Sequence, residues 1–181
     1  MSFLRRLLPR FRSDQSGATT VEFLIAMPLV VFWFAGSYTF FQAYSEWTRS
    51  VKATYTVADI LSRQATVDDA FIDQMNVLFA SIMGENTNDV YLRVSSIEQT
   101  DSGLTIDWSV ATGLHHELKV DEEIPDEIIP SLVAGQYTIL VESHMNYTPF
   151  KMTVGVTGTV LTKKVAVSPR FHTKLANTDH N

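Results

Sequence analysis

No cysteine occurs anywhere in the 181 residues. That excludes disulfides, thiolate metal sites and a cysteine nucleophile at once. A body folded in an oxidising compartment would therefore rest on its apolar core alone, which a 45% apolar composition makes feasible. Also missing are a G-x-S-x-G elbow, a Walker loop and a dinucleotide fingerprint. There is no internal repeat and no long low-complexity tract. Clustered positive charge is absent beyond the N-terminus. Residues 1–17 carry Arg5, Arg6, Arg10 and Arg12 against Asp14, a net of +3; the rest carries ten basic and nineteen acidic groups, a net of −9. Such a body has no electrostatic footprint for nucleic acid. The catalytic inventory is empty, and the expectation is a non-enzymatic protein without a cofactor.

Charge is missing in a second sense. From Phe23 to Ser45 the chain reads FLIAMPLVVFWFAGSYTFFQAYS, 23 residues without a charged side chain. A helix of about 20 apolar residues crosses the hydrocarbon core of a bilayer. Four arginines precede the run, so the positive-inside bias puts the N-terminus in the cytoplasm and the C-terminal body in the periplasm. Tyr38, Phe40, Phe41, Tyr44 and Trp47 suit the far interface. Pro28 is tolerable there because neighbouring helices can satisfy the freed backbone. No small-x-small cleavage site follows the run, as an ordinary secretory signal would need. The signal lies before it instead: Ser16-Gly17-Ala18-Thr19-Thr20-Val21-Glu22-Phe23. Glu22 is the only charge between Gln15 and Ser45, at the mouth of the apolar run. A carboxylate in hydrocarbon costs about 2.5–3.5 kcal/mol, so it needs a partner or a solvated position among headgroups. A cut after Gly17 would supply the Ala18 ammonium as that partner, in the same chain or across a helix interface.

Gly17 followed by four residues, Glu22 and Phe23 resembles the prepilin processing site. The stretch Ser13–Phe23, with Pro28 in the helix, is similar to TadE-type minor pilins of the tight-adherence branch of type IV pilus systems. Tyr55–Gln64, Val94-Ser95-Ser96-Ile97 with Trp108-Ser109, and Ser168-Pro169-Arg170 carry weaker likenesses to TadE- and TadG-like proteins. The resemblance implies cleavage after Gly17 by a prepilin peptidase, with Glu22 and Phe23 in the processing and assembly motif. It implies other pilin subunits, an inner-membrane assembly platform and membrane lipid as partners, and a role in pilus biogenesis and adherence. TadF and TadG relatives are close competitors. The other readings are an uncleaved, signal-anchored periplasmic binding module and, more remotely, a hydrolase using a serine, His144 and an acidic group.

The expected organisation is a basic leader over 1–17, a transmembrane helix over 18–45, a periplasmic α+β domain over 46–175 and a disordered tail over 176–181. The first helix continues past the membrane with Trp47, Val51, Tyr55, Ala58 and Leu61 as a stripe facing the core. A second helix has Thr66 and Asp69 as a capping box, an apolar face of Phe71, Ile72, Met75, Leu78, Phe79 and Ile82, and Gly84 as its stop. Period-two alternation at Val90–Val94 and Leu104–Val110, around Asp101-Ser102-Gly103, predicts a hairpin. Tyr137, Ile139 and Val141 begin a third strand, and Leu161, Val165 and Val167 fit a fourth. Pro125–Gly135 reads as a loop with one helical turn. The fold class is therefore α+β and pilin-like, a long helix on an antiparallel sheet of about four strands. His115-His116-Glu117 lacks the i, i+4 geometry of a helical metal site, and the acidic loop Asp121–Glu127 lacks a calcium-loop pattern, so both read as solvated.

Overall fold

The computed structural model describes residues 16–113, 124, 128–147 and 159–180. The architecture is α+β: two helices and a four-stranded antiparallel sheet, with one extra pair of very short strands. The chain divides into two compact units. One contains the first helix up to Gln42, and the other begins at Ala43 and carries every remaining element.

Helix α1 runs from Ser16 to Ser62 without interruption, with Pro28 inside it. From Phe23 to Phe41 it is largely apolar and, Gly36 and Thr39 apart, exposed: Phe23, Trp33 and Phe40 are 62%, 71% and 70% accessible. A water-soluble core helix would bury such residues. Among the described residues this is one helix long and apolar enough to cross a membrane.

In the second unit, the α1 residues that bury are Ser50, Ala53, Thr54, Val57, Ala58, Leu61 and Ser62. The expected stripe is thus corrected. Ala58 and Leu61 belong to it, but Trp47 and Tyr55 are 43% and 56% exposed. The reason is size. The Thr54 and Ser143 hydroxyls lie 2.6 Å apart on the buried face, between Ser50 and Ala53 on one side and Val57, Ala58 and Leu61 on the other, a contact that an aromatic ring in place of Thr54 would prevent.

Strand β1 (Thr66–Val67) leads into helix α2 (Asp69–Met83). The cap is Asp68, not the Thr66–Asp69 box. Asp68 is in extended conformation and its Oδ1 accepts from the Phe71 N–H at 2.7 Å. Thr66 is drawn into a strand because Val67 beside it is buried. Gly84, left-handed at φ 75°, closes the helix, with Gly84 N–H donating to Ser81 O and Glu85 N–H to Ala80 O. Both turns match the double hydrogen bond of a Schellman stop. The expected apolar face is present: Ile72, Met75 and Phe79 are in the core, with Phe71, Leu78 and Ile82 packed against it. Asp68→Ala should cost about 1 kcal/mol in denaturant unfolding of the detergent-solubilised chain, while Asp68→Asn should be near neutral. Equal losses for the two would reject Asp68 as the cap.

Strands β2 (Val90–Thr100), β3 (Gly103–Ala111), β4 (Tyr137–Tyr147) and β5 (Thr159–Val167) form one sheet in the order β3-β2-β4-β5, all antiparallel. Asp101 and Ser102 make the predicted turn between Thr100 and Gly103. A bulge follows, because Ser96 pairs with Trp108 and Ile97 with Ile106, leaving Asp107 over. Val90, Leu92 and Val94 with Ile139, Val141, Met145 and Val165 form the face packed on the helices. The described part of the β3–β4 connection, 128–136, contains turns but no helix. His115-His116-Glu117 and the acidic residues 121–123, 126 and 127 lie outside the described residues.

The C-terminal tail does not fray over 176–180. Strand β6 (Ala176–Asn177) pairs in parallel with β1, and Thr178 N–H donates to Val67 O. Buried Asn177 donates to Asp69 Oδ1, and Asp179 Oδ2 accepts from Asp69 N–H. Upstream, Leu175 is fully buried and its carbonyl accepts from Trp108 Nε1 at 2.8 Å. The polar composition of the tail reflects hydrogen bonds made to the body.

Candidate functional site

The sequence motif lies at the start of α1. Gly17, Ala18, Glu22 and Phe23 occupy its first two turns, and all four are exposed. Ala18 and Glu22 are four residues apart and therefore share one face, one turn from each other. Arg5, Arg6, Arg10 and Arg12 lie outside the described residues. Gly17 has no positive φ and a Cβ placed on it would meet nothing within 4 Å. Neither backbone conformation nor packing in this chain therefore calls for glycine there.

A second cluster lies on the other face of the sheet, and the sequence reading did not find it. Successive strands set Arg93 opposite Glu142 and Glu142 opposite Lys164. Glu142 is fully buried; Arg93 Nε donates to its Oε2, and Lys164 Nζ lies 2.7 Å from its Oε1. Burial pushes this carboxyl up, but the Arg93 and Lys164 contacts outweigh it and hold it below the usual carboxylate range. One register step along, the Tyr91 and His144 rings stack at 4.2 Å and 6°. Burial, Arg93 and Glu142 together leave the Tyr91 phenol raised. His144 Nδ1 lies 3.0 Å from the Thr162 hydroxyl.

This second cluster is a row of cross-strand pairs. One carboxylate, Glu142, faces two cations, and its members come from three strands. Alternation shows which face each residue takes, but only the pairing register brings Arg93, Glu142 and Lys164 together. Among the described residues no three histidine, aspartate or glutamate side chains are grouped to hold a metal. Compared with family models, curated proteins and solved structures, the chain matches none.

Proposed function

We propose that the chain is a single-pass inner-membrane subunit of pilin type, resembling TadE-like minor pilins, with its N-terminus cytoplasmic and its body periplasmic. In this reading a prepilin peptidase cuts after Gly17. The new Ala18 terminus and Glu22 then register the subunit against other pilins on the assembly platform, and the protein acts by packing and not by catalysis. The observation that carries the reading is a helix that opens on Gly17, four residues, Glu22 and Phe23 and continues as an exposed apolar run to Phe41. The basic leader before it supports the orientation. Gly17, which the helix does not need, supports recognition by an external enzyme.

Co-expression with a prepilin peptidase should yield a chain whose mass begins at Ala18. Gly17→Leu should block the cut, and Gly17→Ala should slow it least among common replacements. If Gly17→Leu still gives mature Ala18, the cleavage assignment is wrong. If the unaltered chain keeps residues 1–17, the uncleaved-anchor reading replaces it. A reporter that works only in the periplasm, fused after Asn181, should be active; activity of a cytoplasm-only reporter there would overturn the orientation.

A further inference from the structure

We infer that Trp47 and Lys163 form a phospholipid docking point, with the indole at the ester level of the leaflet and the ammonium on lipid phosphate. This rests on the reading of α1 as a membrane span. Lys163 Nζ lies 4.5 Å above the centre of the Trp47 ring, and Tyr44 stacks on Trp47 at 6.2 Å. The two partners come from different elements. Lys163 is on β5, opposite Ser143 of β4, whose hydroxyl meets Thr54 of α1. From Thr54, Trp47 is about two helical turns back toward the apolar end. Beyond the other end of β5, the Arg170 N–H donates to Ser62 O at the end of α1. Strand β5 therefore runs alongside α1, with its first residues toward Trp47.

Length agrees with this level. Phe23 to Tyr44 is 22 residues of helix, roughly 32 Å from first to last, against about 30 Å of hydrocarbon. If Glu22 marks one boundary, Tyr44 and Trp47 fall at the other, where tyrosine and tryptophan concentrate. Charge agrees as well. The body is acidic in total, yet between residues 23 and 58 Glu46 is the only acid, and it pairs with Arg49 at 3.6 Å. Lys52 on α1 and Lys163 on β5 add two cations at this end of the helix. In water, an exposed cation–π contact contributes about 0.5–1 kcal/mol, while ordering a lysine costs up to about 2 kcal/mol. The contact is therefore marginal in water. At a headgroup surface both partners gain, the ring by its amphipathic character and the ammonium from phosphate.

The absence of cysteine makes the test direct: single cysteines can be introduced and spin-labelled in the full chain. Phe32→Cys, Val160→Cys and Asp101→Cys would be reconstituted in vesicles of phosphatidylethanolamine and phosphatidylglycerol, 3:1 by design. Accessibility to oxygen and to a water-soluble nickel chelate gives depth. Phe32 should read as hydrocarbon, Val160 at the start of β5 as headgroup, and Asp101 as water. Adding Lys163→Glu should move the Val160 label to the aqueous value, whereas Lys163→Arg should not. A Val160 label as aqueous as Asp101, with Phe32 still in hydrocarbon, would overturn the docking point and spare the span. A water-exposed Phe32 label would overturn the span and the docking point with it. No change at Val160 on Lys163→Glu would reduce the Trp47 contact to a structural one and overturn the proposal.

Discussion

Glu142→Ala is expected to lower the melting temperature of the full chain in detergent by about 10–20 °C. Removing one partner of a buried ion pair costs about 3–5 kcal/mol, against a total stability of about 5–15 kcal/mol for a domain. Here one carboxylate faces two cations. Its loss removes the carboxylate that contacts both Arg93, whose side chain is 16% exposed, and Lys164. Glu142→Gln keeps an acceptor for Arg93 and the side-chain volume, and should fall between alanine and the native residue. The pH dependence separates charge from shape. Because the folded carboxyl ionises at lower pH than an unfolded one near 4.3, its contribution is complete above about pH 4.3 and fades as pH falls through the lower folded value. The stability difference between native and Glu142→Gln protein should thus be constant from neutral pH down to about 5, then shrink in stronger acid. Near-UV circular dichroism melts across that range measure it. A gap that stayed level into strong acid would mean that packing, not charge, explains the loss.

Contiguous signals were legible in the sequence, and those that join distant segments were not. Asp101-Ser102-Gly103 between two alternating runs specifies a hairpin within 22 residues, and the structure has it. Gly84 stops α2 through bonds to its own last turn, so local chemistry is enough there too. The motif from Gly17 to Phe23 is also contiguous. The Arg93–Glu142–Lys164 row is different in kind, since its members lie 49 and 22 residues apart and only strand register unites them. The tail shows the same limit. Asn177 and Asp179 look like solvated polar residues until β6 places them at the start of α2, more than 100 residues earlier. The error over Trp47 and Tyr55 has another cause. Apolar periodicity identifies a face by transfer free energy, whereas this helix–sheet contact combines aliphatic Val57 and Leu61 with the Thr54–Ser143 hydroxyl pair. The aromatic rings that periodicity assigned to the core are left at the exposed side of α1, where Trp47 meets Lys163.

Glu22→Gln is expected to abolish most pilus assembly and surface adherence while leaving the protein inserted, processed and abundant. The variant keeps size and hydrogen-bonding capacity and removes only the charge. Insertion should be as good or better, because the acidic group carries an insertion cost of about 2.5–3.5 kcal/mol. Cleavage after Gly17 should be largely unaffected, since the cut lies five residues before the substitution. In the proposed assembly, Glu22 meets the Ala18 ammonium of a neighbouring subunit within a poorly solvated helix interface. Without the carboxylate that ammonium is left unpaired, which costs about 3–5 kcal/mol at each contact and recurs at each subunit that makes it. Glu22→Asp preserves the charge but shortens the reach by one methylene, so it should be intermediate. An exposed glutamate solvated by headgroups and favoured by the helix N-terminus dipole would behave otherwise, since neutralising it would change little. The deciding measurement is piliation and adherence of cells in which mature Glu22→Gln protein, confirmed by mass to begin at Ala18, is present at the native level. Normal piliation under those conditions would remove Glu22 from subunit pairing and leave Gly17 as the only residue of the motif with a task.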